Sequence, residues 1–150
     1  MRVVIQRVAH AKVEIAGAVK SSIQQGFLIL LGIEADDQAT DIEWLCKKIA
    51  ALRVFSDAEG LMNLSIQDIK GEILVVSQFT LHASTKKGNR PSFIRAARPE
   101  QAIPMYETFV QMLAEESGRP VQTGSFGADM KVSLLNDGPV TIWMDSKLKE

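Results

Sequence analysis

The sequence has 150 residues, of which 46% are hydrophobic and 23% are charged, which is typical of one globular domain over residues 1–150 and not of a disordered chain. Lys and Arg number 17 against 18 Asp and Glu, so the net charge of −1 excludes a uniformly basic nucleic-acid coat protein, and any polyanion must be bound by a local patch. One cysteine, Cys46, excludes an internal disulfide framework, and a cysteine-based zinc site is not expected.

The apolar segments are short. Arg7 interrupts the apolar N terminus, so no secretory signal is expected. The longest apolar run, residues 27–33, has seven residues, whereas a membrane helix needs ~20. The sequence therefore predicts a soluble, cytoplasmic protein without a membrane partner.

The predicted strands occur throughout the chain. A strand over residues 1–9 and a second over 12–15 precede a turn at Ala16–Gly17, which favours a hairpin. Further strands are predicted at residues 27–31, 53–55, 72–81, 131–135 and 140–144.

Two main helices are predicted between these strands. The first begins at Asp36–Asp37, exposes Asp41 and buries Cys46 on its apolar face. The second begins at Pro99–Glu100 and ends near Gly118. Its buried side is predicted to consist of Ile103, Tyr106, Phe109, Val110 and Leu113. The elements indicate an α/β fold with a mixed, largely antiparallel sheet of about seven strands, and no dinucleotide or phosphate-loop motif is present.

Residues 77–81, Ser-Gln-Phe-Thr-Leu, end a predicted strand with unusually many polar groups. In a strand, Ser77 would lie on the face opposite Gln78, Thr80 and His82, which argues against a Ser77–His82 dyad. A Gly-x-Ser-x-Gly elbow is also absent. Two interpretations remain open: a group of side chains that takes part in catalysis, or a strand end whose polar side chains satisfy backbone groups.

A basic segment follows. Residues 85–99 contain five cations and no carboxylate, which is compatible with a phosphate-binding strip or with a solvated loop. Phe93 could stack on a base or anchor the loop. The cations are Lys86, Lys87, Arg90, Arg95 and Arg98.

Two segments with glycine are candidates for close approach to a ligand. Residues 136–141, Asn-Asp-Gly-Pro-Val-Thr, read most simply as a turn between two strands, but a Gly-Pro turn can aim two carbonyls outward. Residues 124–128, Gly-Ser-Phe-Gly-Ala, could let a ligand reach the backbone, although they match no phosphate-loop spacing.

Together these segments resemble the D-aminoacyl-tRNA deacylases of the bacterial and eukaryotic type. The resemblance covers essentially the whole chain in the right order, and the joint occurrence of the Ser-Gln-Phe-Thr and Asn-x-Gly-Pro pieces is highly specific. It rests on residues 1–8, 52–55, 60–63, 77–81, 87–93, 124–130 and 136–141.

The resemblance implies the fold of that family and an enzyme that hydrolyses the ester between a D-amino acid and the 3′-terminal adenosine of tRNA. It also implies action on glycyl-tRNA, a homodimer, and no metal or other cofactor. A cis Gly138–Pro139 of one subunit is expected to enter the other subunit's site, supported by Arg7 and Asn136.

The resemblance also assigns expected roles to site residues. Ser77, Gln78, Phe79 and Thr80 are expected to line the catalytic pocket, and Phe126, Gly127, Ala128 and Met130 to flank the adenosine. Lys86, Lys87 and Arg90 are then candidates for contacts with tRNA phosphates.

Two catalytic routes are compatible with these residues. Thr80 could act as a nucleophile, but no adjacent base is evident. Alternatively, water attacks with help from the tRNA ribose hydroxyl and from backbone N–H groups near Phe79–Thr80. The lack of a histidine, aspartate or metal constellation favours water. Two competing functions are an RNA- or nucleotide-binding module without chemistry and a Ser or Thr esterase for small molecules.

Overall fold

The fold is an α/β structure organised around one long N-terminal strand. The computed structural model describes residues 1–149. The elements in chain order are β1 (Arg2–Ile15), β2 (Ala18–Ile23), β3 (Gly26–Gly32), α1 (Ala39–Ala50), β4 (Phe55–Ser56), β5 (Met62–Leu64), β6 (Glu72–Ser77), a 3₁₀ helix (Phe79–His82), α2 (Pro99–Ser117), β7 (Val121–Thr123) and β8 (Lys131–Asp145).

The main sheet has six strands. Five of them follow the order β2-β1-β3-β6-β7. The sixth, β8, pairs with β1 along the edge opposite to β2 and β3, which pair with different parts of β1. All pairings of β1 are antiparallel, whereas β3–β6 and β6–β7 are parallel. Strands β4 and β5 form a separate hairpin. The predicted mixed sheet, the two main helices and the hairpin at Ala16–Gly17 are confirmed.

Helices α1 and α2 belong to the larger of two apolar clusters. Alternate residues of β1, including Val3 and Ile5, pack in this cluster with Phe109 and Leu113 of α2. Cys46 is fully buried in it, and burial raises the pKa of its thiol to about 12. Cys46 is therefore an apolar core residue, as predicted. Within residues 1–149, no helix is long and apolar enough to cross a membrane.

The start of α1 differs from the prediction. The helix begins at Ala39, and Asp41 is buried and accepts a hydrogen bond from the Gln38 backbone N–H at 2.8 Å, which caps the first turn. Asp37 is also buried and forms an ion pair with the N-terminal ammonium group of Met1. The predicted helix start at Asp36–Asp37 and the exposed Asp41 are therefore wrong. Asp37 instead pairs with the distant N terminus, and the side chain of Asp41 turns back to cap the first turn.

Helix α2 begins at Pro99, and Gly118 ends it in the left-handed conformation, as predicted. Tyr106, Phe109 and Leu113 are buried, but Ile103 is exposed and its place on the inner face is taken by Ala102. The buried stripe is thus shifted by one position at the N-terminal end of the helix.

Candidate active site

The polar segment after β6 leaves the sheet as soon as its partner strand ends. Ser77 is the last residue of β6 and pairs with Leu31, one residue before the end of β3. The Gln78 N–H still donates to the Leu31 carbonyl at 2.7 Å, and a 3₁₀ helix follows over residues 79–82. The predicted strand to Leu81 is therefore wrong, and the alternating faces assigned to residues 78–82 do not apply.

The 3₁₀ helix packs closely on the end of β3. A Cβ atom on Gly32 would lie 2.9 Å from the Leu81 Cβ and 3.0 Å from the Gln78 carbonyl oxygen, so glycine is needed at this approach. Arg2 donates to the Leu81 carbonyl at 3.0 Å and to the buried Asp145 carboxylate at 2.8 Å. Sequence reasoning did not single out Arg2, although an arginine that opens an apolar strand is a visible signal.

A cavity of about 290 Å³ lies between the start of the 3₁₀ helix and the segment 124–130. Its wall brings together two sets of predicted site residues that are about fifty positions apart in the chain. The predicted residues in the wall are Ser77, Gln78, Phe79, Phe126, Gly127, Ala128 and Met130, and the further lining residues are Leu31, Ile33, Val76, Ala97, Ala102, Asp129 and Val132. Thr80 lies next to this wall and is not part of it.

The segment 124–130 is held against the sheet by packing. Gly124 is buried, and a Cβ atom there would lie 2.5 Å from the Met130 sulfur. The Phe126 ring meets the Tyr106 ring edge to face at a centroid distance of 6.0 Å. Tyr106 donates its hydroxyl to the Val75 carbonyl at 2.7 Å, and burial raises the pKa of Tyr106. Tyr106 therefore links this wall of the cavity to β6.

Two backbone donors are available at the start of the 3₁₀ helix. The N–H groups of Phe79 and Thr80 are those that a helical turn leaves without an internal acceptor, and among residues 1–149 they donate to no other group. The Gln78 side-chain amide donates to the Thr80 hydroxyl oxygen. No carboxylate or imidazole in the described chain hydrogen-bonds to Thr80, so the structure supplies no base that would activate it.

His82 ends the 3₁₀ helix and is 1% exposed. Neither ring nitrogen has a hydrogen-bond partner of ordinary geometry within residues 1–149, and Nδ1 lies 3.9 Å from the Glu34 carboxylate. Burial lowers the pKa of His82, which is partly offset by the Gly32 backbone and by Glu34. Since neither nitrogen bonds to Ser77, the structure contains no Ser77–His82 dyad.

The Gly-Pro segment lies in a bulge of β8 and not in a turn between two strands. Residues 131–145 form one strand, and both of its halves pair with β1. Gln6 pairs with Thr141 and Val8 with Asn136, so Arg7 alone stands opposite residues 137–140. The predicted break into two strands is wrong because β1 continues past the bulge and pairs on both sides of it. The Gly138–Pro139 peptide bond is cis.

Arg7 joins this bulge to the neighbouring hairpin. Arg7 is buried, and its side chain donates to the Asp137 carbonyl at 2.9 Å and to the Val54 carbonyl at 2.5 Å. The Asp137 carboxylate lies 3.4 Å away. Gly138 has a φ of 129°, and a Cβ atom there would lie 2.8 Å from an Arg7 nitrogen. Arg7 therefore contacts Asp137 directly and leaves Gly138 and Pro139 exposed.

The bulge and the cavity of the same chain are separated. Gly138 and Pro139 do not line the cavity. Arg2 contacts the end of the 3₁₀ helix and Arg7 contacts the bulge. The 3₁₀ helix and the bulge are thus anchored at positions of β1 that lie five residues, or roughly 16 Å, apart. The two predicted parts of the site are therefore not brought together within one chain.

The basic segment forms a loop beside the cavity. Ser84 and Ser92 exchange backbone hydrogen bonds of 2.8 and 2.9 Å, which closes a loop containing the exposed Lys86, Lys87 and Arg90. Within residues 1–149 these three cations pair with no carboxylate, whereas Arg95 binds the buried Glu34 at 2.7 Å. Among residues 1–149, no group of three or more His, Cys, Asp or Glu side chains is placed to hold a metal ion.

Comparison with known proteins identifies the family. The family model described as D-Tyr-tRNA(Tyr) deacylase matches residues 4–145. The chain belongs to this deacylase family. It is 63% identical to a D-aminoacyl-tRNA deacylase of Bacteroides thetaiotaomicron and 64% identical to that of Phocaeicola vulgatus, in each case over 150 residues and the full length of both chains. The predicted family and the predicted enzyme class, a hydrolase of aminoacyl-tRNA, are thereby confirmed.

Solved structures agree with the fold of the deacylase. A protein named c-Myc DNA Unwinding Element Binding Protein superposes with a TM-score of 0.90 and 41% identity, covering 97% of this chain and 98% of its own. A probable eukaryotic D-amino acid tRNA deacylase superposes with a TM-score of 0.79 over 95% of this chain and 97% of its own. At 16% identity, this second likeness shows the fold alone.

Proposed function

We propose that the deacylase works as a cytoplasmic homodimer in which Gly138–Pro139 of each subunit completes the cavity of the other. The observation that carries this proposal is that the bulge with Gly138–Pro139 does not line the cavity of the same chain. The bulge is nevertheless held in place by the buried Arg7. A rigid, exposed pair of residues is suited to insertion into a second copy. Asn136, which pairs with Val8 at the edge of the bulge, supports the same segment.

The proposed substrates are D-aminoacyl-tRNA and glycyl-tRNA formed on a non-cognate tRNA. Two fixed main-chain carbonyls of Gly138 and Pro139 would accept hydrogen bonds from the α-ammonium group of the substrate. An L side chain would point into these carbonyls, whereas a D side chain would point away and glycine has no side chain. Selectivity then arises from exclusion, which explains how D residues of different sizes are accepted.

In the proposed reaction, water attacks the carbonyl carbon of the ester and the bond to the ribose oxygen breaks. The ribose oxygen takes up a proton, and the products are the free amino acid and tRNA. The unpartnered N–H groups of Phe79 and Thr80 support this route, because they are available to stabilise the negative charge on the carbonyl oxygen. The neighbouring ribose hydroxyl of the substrate assists the attacking water. Thr80 is not the nucleophile, since nothing in residues 1–149 activates it.

The tRNA end is proposed to approach along the basic loop. Phe126, Gly127, Ala128 and Met130 form the wall of the cavity opposite residues 77–79 and would flank the terminal adenosine. Lys86, Lys87 and Arg90 are exposed and unpaired within the described chain, which suits them to phosphate contacts. A K86A/K87A/R90A variant is expected to lose activity on every D-aminoacyl-tRNA and to show a flatter salt dependence.

The primary test is hydrolysis of D-Tyr-tRNA and L-Tyr-tRNA by the purified protein with a chelator present. Loss of the D ester alone is the expected result and would support a metal-free chiral editor. Hydrolysis of both esters would retain the hydrolase and overturn the exclusion argument. Hydrolysis of neither would favour an RNA-binding module, and rapid cleavage of small activated esters without RNA would favour the small-molecule esterase.

Subunit exchange tests whether the site is shared. Arg7→Ala disturbs the bulge, and Ala128→Trp fills the cavity, so each variant alone is expected to be inactive. In a heterodimer, the Arg7→Ala subunit supplies an intact cavity and the Ala128→Trp subunit supplies an intact bulge, so one of the two sites is complete. After denaturation and refolding of an equal mixture, about a quarter of the wild-type activity is expected, because half of the dimers carry one working site. A mixture as inactive as its components would contradict the shared site.

A further inference from the structure

Phe79 and Phe93 form an exposed aromatic corner at the mouth of the cavity. Their rings meet edge to face at a centroid distance of 5.1 Å and an interplanar angle of 77°. Phe79 lines the cavity and is 56% exposed, so its ring is accessible from outside. Phe93 belongs to the basic segment and is half-buried. The corner therefore connects the cavity wall to the loop that carries the cations.

The backbone holds Phe93 in this position independently of Phe79. The Ser84–Ser92 bridge fixes the residue before it, and the Phe93 carbonyl accepts a hydrogen bond of 3.0 Å from the Ala96 N–H. Further along, Arg95 binds the buried Glu34. The loop thus places the Phe93 ring against Phe79 at the edge of the cavity before any ligand binds.

We infer that Phe93, together with Phe79, stacks on the base of the nucleotide that precedes the terminal adenosine of tRNA. The inference rests on the proposed function, since it assumes that the adenosine occupies the cavity. Phe79 lines the cavity, whereas Phe93 contacts Phe79 without lining the cavity and lies on the side of the basic loop. A base that follows the adenosine toward the cations of the loop would therefore meet the Phe93 ring. The loop contains no carboxylate and supplies three cations that pair with none among residues 1–149, so its charge is complementary to a single-stranded RNA end.

This assignment makes Phe93 a positioning residue that acts on binding. Stacking is present before and during hydrolysis, so its loss raises KM and leaves kcat nearly unchanged. Because an aromatic ring stacks on any base, Phe93 adds affinity without selecting a tRNA sequence.

The test compares three substrates: D-tyrosyl-adenosine, the D-tyrosyl ester of cytidylyl-adenosine, and D-Tyr-tRNA. Phe93→Leu keeps an apolar side chain and removes the ring. We expect kcat/KM to fall about tenfold on the dinucleotide and on tRNA, through KM, and to stay within about twofold on D-tyrosyl-adenosine. Phe93→Trp keeps an aromatic ring, so its kcat/KM on all three substrates should equal that of the wild type. Ile94→Ala, which alters the adjacent exposed side chain, is the matched control and should leave all three rates unchanged.

Other outcomes overturn the inference in distinguishable ways. An equal loss on all three substrates would show that Phe93 only supports Phe79. No loss on any of them would show that the base lies elsewhere. A wild-type protein that cleaves none of the three D esters would contradict the proposed function itself, and the stacking role with it.

Discussion

The 3₁₀ helix and the β8 bulge are both interruptions of the same sheet, but different contacts hold them in place. The 3₁₀ helix is fixed by several groups at once: the close approach at Gly32, the Gln78–Leu31 hydrogen bond and the Arg2 contact to Leu81. The bulge is fixed largely by one side chain, Arg7, which replaces the missing β-ladder partners. Single substitutions should therefore have their largest effect on the bulge and smaller effects on the 3₁₀ helix.

Arg7→Ala provides the sharpest test of this difference. It removes the hydrogen bonds to Asp137 and Val54 and leaves a bulge without a fixed position. We expect kcat/KM on D-Tyr-tRNA to fall by about 100-fold or more, since misplacement by ~1 Å has that effect on catalysis. Steady-state kinetics measure the loss, and circular dichroism confirms the fold.

The matched control for Arg7 is Arg53→Ala. Arg53 also donates to a backbone carbonyl, that of Asn63, but it is exposed. Its activity should stay within about twofold of wild type, since exposed contacts contribute little. Arg7→Lys keeps the charge without the planar fork and should recover only part of the activity. Full activity of Arg7→Ala would show that the bulge holds its position without the arginine.

Gly32→Ala perturbs the other region. The added methyl group would press on Leu81 and on the Gln78 carbonyl, and it would push the 3₁₀ helix away from β3. We expect about a tenfold loss of kcat/KM and a decrease of ~1–3 kcal/mol in the free energy of unfolding. Gly17→Ala is the control: nothing lies within 4 Å, but its φ of 79° predicts a loss of stability of about 1 kcal/mol without loss of activity. Unchanged kinetics in Gly32→Ala would mean that the cavity tolerates a shifted 3₁₀ helix.

Thr80→Ala tests the chemistry of the 3₁₀ helix without displacing its backbone. Because the backbone N–H groups and not the hydroxyl are proposed to assist the reaction, kcat should decrease by less than about tenfold. Single-turnover hydrolysis of D-Tyr-tRNA is the measurement, and Thr80→Ser, which keeps the hydroxyl, is the control. A fall in kcat of ~10⁴-fold with intact substrate binding would establish Thr80 as the nucleophile.

The smallest expected effect concerns pH. Burial lowers the pKa of His82, so the unfolded chain binds its proton more readily than the folded one. The free energy of unfolding therefore decreases as the pH falls below about 6.5. The charged groups near the imidazole are Glu34, Arg2 and the N-terminal ammonium.

Urea denaturation at pH 7 and pH 5 measures this effect. Between the two pH values, the free energy of unfolding should decrease less for His82→Leu than for wild type. The pKa of the Asp41 and Asp145 carboxyls is lowered from the ordinary aspartate value, so both groups stay ionised between pH 7 and pH 5. Equal decreases in the two proteins would show that His82 does not carry this pH dependence.

Local patterns in the sequence were sufficient to predict both main helices, the N-terminal hairpin, β3 and the first part of β6. They divided β1 into two strands and missed β5. Alternation and helical spacing report which side chains face the core, and Pro99 and Gly118 mark where α2 begins and ends. The same patterns failed where the chain responds to a distant neighbour. The end of β6 depends on the end of β3, and the continuity of β8 depends on the length of β1.

Buried charges are the second class of features that local patterns miss. Three buried charges, Arg7, Glu34 and Asp37, and the half-buried Arg2 each pair with a group more than 35 positions away. Their sequence neighbours give no sign of those partners, because an isolated charge reads as a surface residue. Yet these pairs fix the 3₁₀ helix, the bulge and the basic loop.

The sequence by itself determined the mixed α/β architecture, the deacylase family and the segments that contribute to the site. The architecture follows from residue types and short-range spacing, whereas the family and its site segments follow from the resemblance of those segments to known deacylases. Only the tertiary structure decided that residues 77–79 and 126–130 share one cavity and that Gly138–Pro139 lies outside it. The physical reason is that strand pairing and buried hydrogen bonds act between residues far apart in the chain, and their geometry exists only once the sheet has formed.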